Sequence, residues 1–248
     1  MEFEHMKALV LAAGKGTRLR TEGIDLPKVL RQAHGRPLLG WVLEALDFLP
    51  RQDVILVIGY EKEKVRAAYP DYPFAVQETL NGTGGAVQYA APQLTDPEGH
   101  VLVCCGDVPL MSRGTYQALI SAHLAQGNDC TLRYARLEEG GSYGRVLRAA
   151  DGSFGRIVEA KDCTPAEAAV TEVNSGTYVF RVSALRAVLD QLSTDNAQGE
   201  LYLTDTPALI KARGGRVGLC DTCTPEEMLG VNTVGQLQQV EEILSARG

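Results

Sequence analysis

Glycines and cations follow directly on a short apolar run near the start of the chain. Residues 11–18 read Leu-Ala-Ala-Gly-Lys-Gly-Thr-Arg, come after Ala8-Leu9-Val10 and are followed by Pro27-Lys28-Val29-Leu30. Glycines allow backbone N–H groups to close on phosphate oxygens, and lysine and arginine neutralise the charge that remains. The segment therefore predicts a loop that binds a polyphosphate.

Two well-known phosphate-binding loops do not fit the spacing of this segment. A Walker loop needs Ser or Thr directly after Gly-Lys, but Lys15 is followed by Gly16. A dinucleotide fingerprint needs a third glycine at position 19, where this chain has Leu19. The loop therefore indicates another class of nucleotide-binding site.

A carboxylate follows the apolar run 101–105. Asp107, in Gly-Asp-Val-Pro-Leu, falls at the C-terminal end of a predicted parallel strand, where open α/β sheets bind their ligands. Asp107 could instead cap the next helix, but Pro109 intervenes and Ser112 can cap that helix itself. Because magnesium in phosphoryl-type chemistry is held by few carboxylates and by substrate oxygens, we predict Asp107 as a magnesium ligand.

A glutamine precedes a second glycine-rich stretch, Gln77 before residues 82–85. The glycines are explained by a tight turn and a helix start. Alternatively, the glutamine amide and the close backbone approach allowed by small residues suit the edge of a flat base. The residues by themselves leave both interpretations open.

Composition limits the class of protein. The chain has 248 residues, of which 45% are hydrophobic, enough for one large α/β domain with a small lobe. With 24 basic and 31 acidic residues, a net charge of -7 and no basic patch, a nucleic-acid partner is not expected. No apolar run approaches the roughly 20 residues of a membrane helix, so no membrane partner is expected either.

The cysteines and histidines do not form a recognisable metal or redox motif. Of six cysteines, Cys220 and Cys223 form one CxxC pair, too few ligands for a structural zinc site. Reduced cysteines in a cytoplasmic protein are the favoured interpretation. His34, His100 and His123 have no partner at catalytic spacing and are expected at the surface.

Alternating apolar and amphipathic segments predict the elements that position these residues. Strands are predicted at 7–12, 53–58, 74–77, 101–105 and 129–134, and helices at 38–48, 61–69, 83–91 and 112–126. This order predicts an α/β fold with a Rossmann-like, mainly parallel sheet flanked by helices.

After residue 130 the pattern predicts a smaller lobe built onto the sheet edge. Its predicted elements are a hairpin at 145–159, strands at 172–180 and 216–220, helices at 183–192 and 203–213, and a tail helix with Leu237, Val240, Ile243 and Leu244 on one face. We expect a domain over 6–230 and a helical tail over 231–248, with residues 1–5 left from cloning.

Taken together, these segments resemble the sugar-nucleotide pyrophosphorylases, a family of nucleotidyltransferases. Residues 11–18, 27–30 and 35–38 follow that family's opening order, although an isoprenoid cytidylyltransferase and a molybdopterin guanylyltransferase open similarly. The later motifs are similar in order and spacing to those of bacterial N-acetylglucosamine-1-phosphate uridyltransferases. These motifs are residues 77–86, 106–110, 142–145, 157–162, 172–176, 195–205 and 230–232.

The resemblance implies a nucleotide-diphospho-sugar transferase fold and a set of site residues. Arg18 and Lys28 would be the catalytic cations, and Asn232 would join Asp107 as the second magnesium ligand. The implied nucleotide-binding residues are Leu11, Ala12, Ala13, Gly14, Gly16, Thr17, Arg18, Lys28, Gln77, Gly82 and Thr83. The implied sugar-binding residues are Gly144, Glu159 and Asn174. One departure is Gly85, which stands where the family usually has histidine.

The implied reaction joins UTP to N-acetylglucosamine-1-phosphate, giving pyrophosphate and the cell-wall precursor UDP-N-acetylglucosamine. Two alternatives remain, a transferase for another sugar such as glucose-1-phosphate with UTP or dTTP, and a non-catalytic regulatory module that binds nucleotide sugars. The bifunctional relatives also carry a β-helical acetyltransferase, but this chain shows no hexapeptide repeat, so acetyltransferase activity is not expected. The sequence predicts no oligomeric state.

Overall fold

The computed structural model describes residues 3–19 and 26–247, without the side chain of Arg18. Its strands are β1 (Met6–Ala12), β2 (Gln32–Ala33), β3 (Arg36–Pro37), β4 (Val54–Ile58), β5 (Phe74–Val76), β6 (His100–Cys105), β7 (Cys130–Arg136), β8 (Arg145–Arg148), β9 (Phe154–Val158), β10 (Glu172–Arg181) and β11 (Val217–Cys220). Its α-helices are α1 (Leu38–Ala45), α2 (Lys62–Ala68), α3 (Thr83–Ala90), α4 (Arg113–Gln126), α5 (Pro165–Ala168), α6 (Val182–Leu189), α7 (Thr206–Ala212) and α8 (Val234–Arg247).

The main sheet has the strand order β11-β7-β10-β6-β1-β4-β5. The pairs β6–β1, β1–β4, β4–β5 and β11–β7 are parallel, whereas β10 runs antiparallel to both of its neighbours. The β8–β9 hairpin joins the sheet through β10. The predicted mainly parallel α/β fold is confirmed, with one antiparallel strand inserted near its centre.

Apolar side chains of the central strands alternate between two cores, one on each face of the sheet. On β6, Leu102 and Cys104 pack in one core with residues of α1, α2 and α4. Val101 and Val103 pack in the other core with residues of α3, α6 and α7. A strand buried on both faces is apolar at nearly every position, which explains the run that predicted β6.

Helix α8 closes a third core beside the loop that follows β6. Leu237, Val240 and Leu244 are buried and pack with Leu38 and Leu110. The apolar face predicted for the tail helix is therefore the face that it buries.

The surface position predicted for His123 is wrong. His123 is fully buried in α4, its Nε2 lies 3.0 Å from Nδ1 of His100, and its Nδ1 lies 2.9 Å from Oγ1 of Thr131. Burial lowers the pKa of His123 to about 3, so the ring is neutral at physiological pH. Its partners come from β6 and β7, which spacing along the chain does not reveal. His34 is exposed, as predicted.

The cysteines are all free thiols. In the CxxC pair, Cys220 Sγ lies 3.3 Å from Thr222 Oγ1, and Cys223 Sγ donates to the carbonyl of Tyr134 at 3.6 Å. Within residues 3–19 and 26–247, no helix combines the length and the apolar character that crossing a bilayer requires.

Candidate functional site

The glycine-rich loop after β1 packs against the start of a short 3-10 turn, Lys28–Leu30. Gly16 has a φ of +58°, and a Cβ added there would lie 2.5 Å from Cβ of Lys28. Both the left-handed backbone and the lack of space therefore require glycine at this position. The loop consequently brings its backbone close to the ammonium-bearing side chain of Lys28.

A cavity of about 620 Å³ opens at the C-terminal ends of β1 and β6. Of the residues predicted to bind the nucleotide, those that line it are Leu11, Ala12, Ala13, Gly14, Gly16, Thr17, Lys28, Gln77, Gly82 and Thr83. Asp107 lines the same cavity. The side chain of Arg18 lies outside the described residues, so its predicted role stays a prediction.

Two polar side chains from distant segments meet at Lys28. Its Nζ forms an ion pair with Oδ2 of Asp107 and donates to Oδ1 of Asn232 at 3.0 Å. The backbone N–H of Val231 donates to the carbonyl of Asp107 at 2.9 Å, which ties the segment carrying Asn232 to the loop after β6. The side chains of Lys28 and Asp107 are each 14% exposed, so water screens this pair little.

Asp107 and Asn232 fit a divalent cation. Their oxygens already converge on one positive charge, and a Cβ added at Gly230 would lie 3.8 Å from Asp107 Oδ2 and 3.6 Å from Asn232 Nδ2. A carboxylate and an amide oxygen are hard ligands that suit magnesium, which keeps several waters or substrate oxygens. Within the described part of the chain, no cluster of three or more His, Cys, Asp or Glu side chains offers a metal site.

The start of α3 is packed against the segment that precedes α7. A Cβ on Gly82, which has a φ of +102°, would lie 2.6 Å from the carbonyl oxygen of Leu201. Thr83 Oγ1 accepts from the N–H of Leu203 at 3.1 Å. The packing of these two segments places Glu200 at the cavity wall, which Leu80 also lines. Sequence reasoning assigned no role to either residue, although Leu80 lies in the motif 77–86 and Glu200 in the motif 195–205.

The three residues predicted to bind the sugar lie together beside this cavity. The N–H of Asn174 on β10 donates to the carbonyl of Gly144 at 2.8 Å, and a Cβ on Gly144 would lie 3.5 Å from Oε2 of Glu159. Gly176 connects them to the nucleotide cavity. Its N–H donates to Oδ1 of Asn174 at 3.3 Å, and its carbonyl oxygen lies 4.0 Å from Sγ of Cys105, which lines the cavity.

Glu159 is held in an acidic and partly desolvated environment. Burial raises the pKa of its carboxyl group, a hydrogen bond from Thr204 Oγ1 at 2.9 Å lowers it, and the nearby carboxylates of Asp162, Asp205 and Glu200 raise it. The net result is a pKa above the ordinary value of 4.5. Such a group fits contact with neutral hydroxyl groups better than contact with a phosphate.

We expect the free energy of unfolding of Glu159→Gln, relative to that of the wild type, to increase as the pH rises. Because the raised pKa makes the folded state bind the proton more tightly than the unfolded chain, the contribution of Glu159 to the free energy of unfolding falls as pH rises from about 4.5. Urea unfolding between about pH 4.5 and about pH 7 measures this slope. The matched control is Glu138→Gln at an exposed position. If the free energy of unfolding changes equally with pH in the wild type and in Glu159→Gln, the result would contradict a raised pKa of Glu159 in the folded state.

A buried ion pair connects the segments that carry the site residues. Arg133 on β7 is fully buried, and its Nη2 lies 3.8 Å from Oε2 of Glu227. Glu227 accepts from the N–H of Ser112 at 3.0 Å, from Thr115 Oγ1 at 2.5 Å and from the N–H of Thr224 at 3.1 Å. It thereby joins the start of α4 to the segment that leads to Asn232.

Sequence reasoning missed this pair, although one local signal was present. Thr224 and Glu227 form the reciprocal hydrogen bonds of a capping box, a Thr-x-x-Glu pattern that is visible in the sequence. Nothing in that pattern indicates Arg133. Burial raises the pKa of Glu227, but the hydrogen bonds from Thr115, Ser112 and Thr224 outweigh it, so that the net pKa lies below the ordinary value.

Comparison with known proteins agrees with this geometry. Residues 8–205 match the family described as the MobA-like NTP transferase domain. The chain is 41% identical over 248 residues to the bifunctional protein GlmU of Pelobacter propionicus, covering 99% of this chain and 53% of that protein. It is 45% identical over 234 residues to the bifunctional protein GlmU of Kineococcus radiotolerans, covering 92% of this chain and 47% of that protein. The chain thus spans about half the length of the curated relatives it matches.

The fold is also found in a solved structure of low sequence identity. A crystal structure of UDP-glucose pyrophosphorylase complexed with UDP-glucose superimposes with a TM-score of 0.75 at 14% identity, covering 98% of this chain and 99% of that one. At this identity the likeness concerns the arrangement of strands and helices.

Proposed function

Because the chain belongs to the MobA-like NTP transferase domain family, we propose that it transfers the uridylyl group of UTP to N-acetylglucosamine-1-phosphate. The products are UDP-N-acetylglucosamine and pyrophosphate. The similarity to two bifunctional GlmU proteins over nearly the whole chain supports this choice of substrates. In this proposal residues 6–230 form the nucleotidyltransferase domain and residues 231–248 its helical tail.

The observation that carries the proposal is the meeting of Lys28, Asp107 and Asn232 beside the glycine-rich loop. A sugar phosphate oxygen must approach the α-phosphorus of UTP while pyrophosphate leaves, so two anions have to meet. Positioning and charge neutralisation are sufficient for such a transfer, and no protein nucleophile is needed. Lys28 and Arg18 supply positive charge, and the amides of Gly14 and Gly16 cradle the phosphates.

Asp107 and Asn232 would hold magnesium in this proposal. When bound, the ion would supply positive charge against the phosphates of the two substrates. The ammonium of Lys28 contacts an oxygen of each of these two side chains, so the two oxygens lie close together beside the cavity.

The remaining residues divide between the two substrates. Gln77, Gly82 and Thr83 would read the base of the nucleotide. They line the same cavity as Leu11, Ala12, Ala13 and Thr17, which supports this division. Gly144, Glu159 and Asn174 would bind the hydroxyl and acetamido groups of the sugar. The substrates in this proposal are both small molecules. The cytoplasmic location stays a prediction.

A pyrophosphate-release assay tests the proposal. UTP, CTP and dTTP are each combined with N-acetylglucosamine-1-phosphate and with glucose-1-phosphate, with magnesium and with EDTA. We expect UTP with N-acetylglucosamine-1-phosphate to give the highest kcat/KM, because the acetamido group adds a hydrogen bond and an apolar contact. EDTA should abolish turnover and magnesium should restore it.

Two results would overturn the assignment in different ways. A higher kcat/KM with glucose-1-phosphate would keep the reaction type and change the sugar. Binding of UDP-N-acetylglucosamine without pyrophosphate release from any pair would instead indicate a non-catalytic regulatory module.

A further inference from the structure

The amide of Gln77 is fixed by two acceptors. Its Nε2 donates to the backbone carbonyl of Gly82 at 3.0 Å and to Oδ1 of Asn81 at 3.1 Å. A backbone carbonyl can only accept, so the nitrogen of this amide must be the atom that faces Gly82. Both hydrogens of Nε2 are then used within the protein.

The other end of the same amide is left for a ligand. Among the hydrogen bonds of the described residues, none uses Oε1 of Gln77, and Gln77 lines the nucleotide cavity. Gln77 is 4% exposed, so its orientation is not averaged by water. Gln77 therefore offers a ligand in the cavity a hydrogen-bond acceptor, its Oε1, and no donor.

Asn81 occupies space that Gly85 leaves open. A Cβ added at Gly85 would lie 1.8 Å from Oδ1 and 2.5 Å from Cγ of Asn81. The backbone of Asn81 is held as well, since its N–H donates to Thr79 at 2.9 Å and its carbonyl accepts from Leu201 at 2.8 Å. No side chain larger than hydrogen fits at position 85 while Asn81 keeps this place.

We propose that Asn81 is a positioning residue that fixes the Gln77 amide for a base with a ring N–H. In this proposal Gly85 leaves the space that the Asn81 side chain needs. The inference rests on the proposed function, because it assumes that Gln77 faces the base. Uracil and thymine carry a hydrogen on N3 that Oε1 of Gln77 can accept. Cytosine has an unprotonated N3, so two acceptors would face each other, an arrangement that leaves buried polar groups unpaired.

A double-mutant cycle tests the role of Asn81. Isothermal titration measures UTP and CTP binding to the full chain without sugar phosphate, for Asn81→Leu, Gln77→Ala and the double variant. Leucine has a similar volume and no acceptor. We expect Asn81→Leu to weaken UTP binding about 5–10-fold, as for one lost hydrogen bond, and to narrow the preference for UTP over CTP. In the Gln77→Ala background the same change should have no effect.

A second cycle tests Gly85. Gly85→Ala should weaken UTP binding by a similar factor because its methyl group displaces the Asn81 amide. In an Asn81→Ala background, Gly85→Ala should add nothing further. The matched control is Gly114→Ala, in the first turn of α4, where an added Cβ meets no atom within 4 Å. Thermal unfolding of each variant checks that the fold is kept.

The outcomes separate this inference from the proposed function. An equal loss of UTP affinity from Asn81→Leu with and without Gln77 would overturn the positioning role, because a merely structural effect does not depend on Gln77. Unchanged UTP binding in Gln77→Ala would overturn both the inference and the base-reading part of the proposed function. If the double-mutant cycle shows the expected coupling between Asn81 and Gln77 in UTP binding, but the wild type releases no pyrophosphate, the result would contradict the proposed function alone.

Discussion

Asp107→Ala is expected to lower kcat by about 10²-fold or more, equivalent to about 3 kcal/mol of transition-state stabilisation. The substitution removes the carboxylate that contacts Lys28 Nζ and leaves Asn232 as that ammonium's partner in the cluster. Both the positive charge facing the phosphates and the proposed magnesium site would lose their fixed geometry. Pyrophosphate release at saturating substrates, over a range of magnesium concentrations, measures the effect.

Asp107→Asn separates charge from shape. It keeps the size of the side chain and should lose nearly as much activity as alanine, because the negative charge is what magnesium and Lys28 both require. Asp190→Ala, at an exposed position after α6, is the control and should behave as the wild type. Near-normal kcat in Asp107→Asn, with an unchanged thermal unfolding midpoint, would remove Asp107 from the catalytic site.

Glu227→Ala is expected to lower the free energy of unfolding by about 3–5 kcal/mol, since removing one partner of a buried ion pair leaves the other charge uncompensated. The guanidinium of Arg133 is fully buried, and within the described residues its nitrogens have no hydrogen-bond partner. Its Nη2 forms an ion pair with Oε2 of Glu227 at 3.8 Å. The donors of Ser112, Thr115 and Thr224 would also lose their acceptor. Urea unfolding at neutral pH measures the change.

The neighbouring residue provides a matched control. Glu226 lies in the same 3-10 turn, has a 61% exposed side chain and forms an ion pair with Arg247 at 3.6 Å. Exposed pairs contribute about 0–1 kcal/mol, so Glu226→Ala should change stability little. In the double variant Arg133→Met with Glu227→Met, much of the loss should be recovered, because apolar side chains can replace a buried pair. Equal, small losses at positions 226 and 227 would contradict the importance of the pair.

The parts of the fold that depend on local pattern could be predicted from the sequence. The strand at 101–105 was expected from an unbroken apolar run and is observed as β6, His100–Cys105. Likewise, Ser112 caps α4 through Thr115, as its position before the helix suggests. The predicted resemblance to nucleotidyltransferases is confirmed by the family match over residues 8–205. Signals of this kind act within a few residues, where spacing alone determines the contacts.

The parts that depend on distant contacts could not be predicted in this way. Arg133 looks like a polar residue on a strand, and its burial follows from Glu227, which reaches it only after β7 and the 226–228 turn have packed together. The sequence does not indicate the role of the Asn81 amide, because Gly85 is visible there only as a departure from a motif. The absence of a side chain at Gly85 leaves the space that the Asn81 amide occupies, and the residue type alone does not show which neighbour fills that space.

Strand β10 also affects how the chain becomes folded during synthesis. The strands β6 and β7, on either side of it in the main sheet, both precede it, and β10 pairs with each of them antiparallel. On a ribosome, β6 can pair with β1 as soon as it emerges, but its other edge has no partner until residues 172–181 have left the exit tunnel. Unpaired apolar edges promote aggregation of incomplete chains. The nascent protein is therefore most vulnerable to misassociation while β6 and β7 wait for the strand that joins them.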